Sequence, residues 1–99
     1  MNEPRMAEDL PHELSRWAGA EARVWAFEVS HKKLTVRLQM PGRPELLDIV
    51  CVGTTSIAGP TRWAKAQMFF LVKSGLKVLT DPEAGFVLTC SDIVLAPPR

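Results

Sequence analysis

The sequence has no tyrosine, two cysteines, two histidines and a net charge of +1, and each scarcity removes a class of function. The missing tyrosine takes away a residue much used at wet contact surfaces and leaves three tryptophans as the large amphipathic side chains. Cys51 and Cys90 stand far apart, each inside an apolar stretch, with no CxxC spacing and no neighbouring histidine. That pattern spells out no metal site and predicts two buried free thiols. A Ser or Cys nucleophile needs a histidine to take its proton, and neither histidine sits in a motif that would organise it. His12 lies beside Glu13 on an amphipathic segment. His31 lies in the turn Ser30-His31-Lys32-Lys33, where the lysines disfavour its protonated form. Glu28, Asp48 and Asp92 fall inside strand-like segments and are expected to face solvent, so no enzyme is expected. Gly53, Gly59 and Gly75 fit neither phosphate-loop pattern, and neither cofactor nor metal is expected.

The near-neutral charge lacks the strongly basic signature of an autonomous DNA-binding module. The longest apolar run, Met68 to Val72, is far too short to span a bilayer, and Glu3, Glu8, Asp9 and Glu13 interrupt any stretch that would serve as a signal peptide. A cytoplasmic location with no membrane contact is the expectation.

What is present is one ordinary domain: 99 residues, 11.0 kDa, 46% hydrophobic and 23% charged. Charge is uneven along it, with a sum of −3 over residues 1–21 and +4 over 22–99. Leu10, Leu14, Trp17 and Ala18 share one face at helical spacing, with Asp9 as N-cap, Pro11 in the first turn and Gly19 as the stop. This predicts a helix over 9–18 preceded by a frayed lead, 1–8.

From residue 22 the period changes to two. Trp25, Phe27 and Val29 alternate with Val24, Ala26 and Glu28, and Leu34, Val36, Leu38 and Met40 alternate with Thr35, Arg37 and Gln39. Pro41-Gly42-Arg43-Pro44 forces a turn, and a strand over 45–52 follows. Segment 61–74 is ambiguous between helix and strand, and its aromatic and branched residues favour the strand. Ser74-Gly75 and 81–85 make two further turns. The closing strand, 86–95, changes phase near Ser91-Asp92, where a bulge is expected.

The expected fold is therefore α+β, mostly β. The N-terminal helix is followed by about six antiparallel strands over 22–95, forming a small barrel or a strongly bent sheet, with 96–99 as a tail. Trp17 and Trp25 are expected to meet in the core. The segment Gly59 to Lys65 places an indole between two cations, so Arg62, Trp63 and Lys65, with His31, Lys32 and Lys33, form the candidate interaction surface. A small non-enzymatic protein-interaction domain is the leading expectation, with a homodimer as one way to cover sheet edges. The alternative is a single-stranded nucleic-acid binder, with Lys32, Lys33, Arg37, Arg62 and Lys65 on phosphates and Trp63 on a base. A toxin-immunity-like inhibitor is the second alternative. No family motif distinguishes these.

Overall fold

In the computed structural model, which describes residues 10–96, nine strands form two antiparallel sheets. The expected lead 1–8, the Asp9 cap and residues 97–99 lie outside the described residues. Helix α1, Leu10–Arg16, is shorter than the spacing predicts and buries Leu14, with Trp17 half-buried against the same core. Gly19 at φ +92° ends the segment and donates its N–H to the Ala66 carbonyl at 2.8 Å, which joins the helix exit to the first sheet.

The first sheet has five strands in the order β5-β1-β2-β3-β9, comprising β1 Ala20–Glu28, β2 Lys33–Gln39, β3 Leu46–Val52, β5 Arg62–Ala66 and β9 Asp92–Ala96. The second has four, in the order β4-β8-β7-β6, comprising β4 Ser56–Ala58, β6 Phe69–Lys73, β7 Leu76–Asp81 and β8 Phe86–Cys90. The alternation of β2 is as the sequence predicts: Leu34, Val36 and Leu38 are buried, and they register against Cys51, Ile49 and Leu47 of β3. Leu79, Phe86, Leu88 and Cys90 fill the core from the second sheet. A fully buried Leu, Ile or Phe contributes about 1.5–3 kcal/mol, so this shared interior is what holds the two layers together.

Three expectations are corrected. Nine strands in two sheets replace about six in a barrel or one bent sheet, because the chain changes sheet at two points where a single long strand was expected and because the short β4, Ser56–Ala58, pairs with β8. Segment 61–74 is strand, as preferred, but it breaks at Gln67-Met68 into β5 of the first sheet and β6 of the second. Segment 86–95 breaks at Ser91 in the same way, between β8 and β9. The phase change seen in the sequence marks a crossing between layers.

The third correction concerns Trp25. The register of β1 against β2 shifts between Val24 and Ala26, an extra residue that turns Trp25 outward, 49% exposed, while Val24 packs inward. Trp25 and Trp17 therefore do not meet in the core.

Cys51 and Cys90 are both buried and free and are neighbours between the sheets, and the Cys90 thiol donates to the Lys77 carbonyl at 3.7 Å. The neighbouring Cys90 thiol, together with burial, pushes the Cys51 thiol well above its ordinary value.

Candidate functional site

The six residues of the expected interaction surface do not gather. Trp63 turns inward: its ring stacks on Phe86 with centroids 4.7 Å apart, and its indole N–H donates to Asp81 Oδ2 at 2.8 Å. The same carboxylate oxygen accepts from the Gln67 backbone N–H at 2.9 Å, and Asp81 is 2% exposed. Trp63 is thus a tie between β5 and the end of β7, where a buried acceptor satisfies its N–H. Arg62 lies on the outer side of the first sheet, 3.6 Å from Glu21 Oε2, and Lys65 is exposed at φ +55°.

Lys32 and Lys33 sit at the other end of β1. Lys32 follows a 3-10 turn, Val29–His31, and takes the left-handed conformation, and Lys33 registers against Glu28. Arg62 registers against Arg23, five residues from Glu28 along β1 and so about 16 Å away at strand rise. Of His31 the structure describes the backbone, which closes that turn.

The strand acids do not converge either. Asp48 is bound to Arg37, whereas Asp92 registers against Val52 and lies 4.0 Å from Lys77 Nζ. His12 is exposed on α1. Among the described residues no group of three His, Cys, Asp or Glu is placed to hold a metal ion, and no helix is long and apolar enough to cross a membrane.

Two other surfaces carry chemistry. The outer face of the first sheet centres on Trp25. Arg37 on β2 donates from Nε to Asp48 Oδ1 at 2.8 Å and from its terminal nitrogen to Asp48 Oδ2 at 3.0 Å, a planar bidentate pair between adjacent strands. The hydrogen bond to Asp48 raises Arg37 above its ordinary value, with burial opposing. Its guanidinium carbon lies 4.0 Å from the centroid of the Trp25 ring, and that of Arg23 lies 5.5 Å away. Arg37 is only 16% exposed, so the indole lies over the clamped guanidinium and presents its other side to solvent. Beside it is an open depression of about 260 Å3, walled by Glu21, Arg23, Gln39, Pro44 and Leu46. This runs through Glu21, Gln39 and Pro44 into a broader one of about 720 Å3, flanked by Arg43 and Lys65.

The outer face of the second sheet is different in kind. Strand register aligns Phe69 with Thr80 and Val87, and Leu71 with Val78 and Thr89. Phe69, Leu71, Leu76 and Val87 are each at least 37% exposed there, and Lys73 is the one charge on the described strands of that face. Sequence reasoning missed both surfaces. The signal for the apolar one was present: in β6 Phe69 and Leu71 alternate with Phe70 and Val72, so both sets are hydrophobic, as in a sheet with two covered faces. The bulge that exposes Trp25 has no such signature.

No protein-family model matches the chain, and neither a curated protein nor a solved structure is significantly similar to it.

Proposed function

We propose that this chain is a non-enzymatic interaction domain that uses the outer face of its four-stranded sheet to dock a second copy of itself. The observation that supports it is the aligned apolar surface of Phe69, Leu71, Leu76, Val78 and Val87, whose neighbours on the face are small or β-branched and which carries the single charge of Lys73. The uncovered apolar area is on the order of 400 Å2, within the range of the largest patch on an ordinary monomer, which is often functional. An apolar, nearly uncharged face calls for a partner surface of the same character, and an isologous pairing presents this face to itself.

Two copies would bury on the order of 800 Å2, which falls in the range of weak, reversible complexes. The expected behaviour is a monomer–dimer equilibrium with a dissociation constant of about 10 µM to 1 mM. Sedimentation velocity across that range tests it: the weight-average mass should rise with concentration, and Leu71→Glu should hold the chain monomeric. A wild-type chain that stays monomeric throughout, or a dimer that Leu71→Glu and Val87→Lys leave intact, overturns the proposal.

A further inference from the structure

We infer that the outer face of the five-stranded sheet is a binding site for single-stranded nucleic acid, with Trp25 as the stacking platform for one base and Arg23, Arg43 and Lys65 as the phosphate contacts. The site lies on the opposite side of the sandwich from the proposed dimer face and does not depend on it.

The platform is built before any ligand arrives. Asp48 fixes the plane of the Arg37 guanidinium through two hydrogen bonds, the guanidinium fixes the indole at 4.0 Å, and the β1 bulge holds Trp25 on this side of the sheet. A half-exposed indole held against a clamped guanidinium leaves part of its π-surface to solvent, and any nucleobase can lie on it, with the Arg23 guanidinium 5.5 Å from the ring centroid swinging to a phosphate as it does. Little side-chain entropy remains to be lost when it does.

The groove beside the platform points to a chain rather than a lone base. From Trp25 it follows β1 back to Glu21, about 13 Å at strand rise, and continues to the flank formed by Arg43 and Lys65. Counting Arg23, Arg37, Arg43, Arg62 and Lys65 against Glu21, Glu45 and Asp48, the surroundings are net positive. Arg37 and Arg62 have carboxylate partners, so the cations offered outward are Arg23, Arg43 and Lys65. A duplex is a poor fit, because its bases are stacked on one another and this surface has no helix or ribbon projecting to enter a groove. The role that the sequence suggested for Trp63 thus falls to Trp25, on the same face as Arg37 and Arg62.

The test is fluorescence anisotropy of the full chain with labelled oligo-rU and oligo-dT, from low to moderate salt, with a 20-mer duplex as control. Binding is expected for the single strands, with affinity falling as salt rises at a slope near −2 for about three phosphate contacts. Trp25→Ala should weaken it about 5- to 150-fold, the loss of one stacked base, while Trp25→Phe should retain most of it. Arg23→Gln and Lys65→Gln should each reduce the salt slope by about 0.7. Circular dichroism of each variant separates lost contact from lost fold, and Trp25→Phe keeps the test valid if the alanine variant unfolds. The comparison of rU with dT tells whether RNA or DNA is preferred. Absence of single-strand binding at low salt, equal binding of the duplex, affinity unmoved by Trp25→Ala in a folded chain, or binding of an acidic peptide in place of the oligonucleotides overturns the inference.

Discussion

Replacing Asp81 separates a fold held by burial alone from one pinned at a single acceptor. The carboxylate is 2% exposed and its Oδ2 accepts two short hydrogen bonds, from the Trp63 indole at 2.8 Å and the Gln67 backbone at 2.9 Å, while Oδ1 accepts a long one from the Ala84 backbone at 3.4 Å. These reach the three places where the chain must be held: β5, the crossing at Gln67-Met68, and the β7–β8 turn. Hydrogen bonds to a charged acceptor contribute about 1.5–3 kcal/mol each, and donors left without partners inside the fold keep their desolvation cost. Asp81→Ala therefore costs about 3–6 kcal/mol, a large share of the roughly 5–15 kcal/mol that a domain has in total.

Asp81→Asn is the discriminating control. Both short bonds end on the same oxygen, so an amide oriented with its carbonyl there keeps them as neutral hydrogen bonds and loses about 1–2 kcal/mol. Urea denaturation followed by far-UV circular dichroism reads the difference. With a slope of about 1.5 kcal/mol per molar for a chain of this size, the alanine variant should unfold at least 2 M earlier than the wild type and the asparagine variant within about 1 M of it. Equal midpoints for the two variants, or a loss under about 1 kcal/mol for alanine, would refute the reasoning that Asp81 organises the crossing.

Other outcomes follow from the same geometry. In a double-mutant cycle of Arg37→Ala and Asp48→Ala, the coupling energy should be about 1–3 kcal/mol, because the pair is bidentate and only 16% and 11% exposed; coupling below about 0.5 kcal/mol would class it with exposed pairs. Gly59→Ala should destabilise by about 3 kcal/mol or more, since its Cβ would come 2.5 Å from the Gly85 carbonyl oxygen and 2.7 Å from the Phe86 Cα at φ +117°. Gly42→Ala, at φ +77° with open space around it, should cost only about 1 kcal/mol, and equal losses at the two glycines would contradict the close approach at Gly59. Cys51 and Cys90, both buried, should react with a thiol reagent only as fast as the sheets open; urea should accelerate modification in step with unfolding, and rapid labelling of the native chain would count against the placement.

The sequence made the interior of the first sheet legible, because Leu34 to Met40 alternate strictly between apolar and polar residues, and Leu47, Ile49 and Cys51 recur at every second position of a strand that is apolar on most of both sides. The turn at Pro41-Gly42 was legible for the same kind of reason, as its residues set φ locally. Sheet membership was not. Gln67-Met68 and Ser91 look like the middle and the irregular point of two long strands, yet they are where the chain passes from one layer to the other, and pairing between distant segments decides that. Trp25 was misplaced because a bulge shifts every later side chain by one position, and β1 gives no compositional sign of where the extra residue enters. The tie that draws Trp63 inward was not legible either, because its partner Asp81 lies 18 residues further on, in a turn-like stretch where an acid is unremarkable.

The two outer faces differ in chemistry, where the sequence led to the expectation of one interaction surface. The first sheet can expose a tryptophan with arginines because strand pairing satisfies its backbone and Asp48 fixes the cation beneath the ring, so its polarity is locked on one side and open on the other. Among the described residues the outer face of the second sheet shows no such network: Phe69, Leu71, Leu76, Val78 and Val87 dominate it, with Lys73, Thr80 and Thr89 beside them. If two copies meet through that apolar face, both Trp25 platforms remain uncovered and point away from each other. A single strand long enough to pass around the dimer would then engage both, and its apparent affinity would exceed that for a short oligomer by a factor set by the span between platforms. Leu71→Glu should abolish that length dependence while leaving the affinity for the short oligomer unchanged. Loss of short-oligomer binding in a folded Leu71→Glu chain would mean that the two faces are one site.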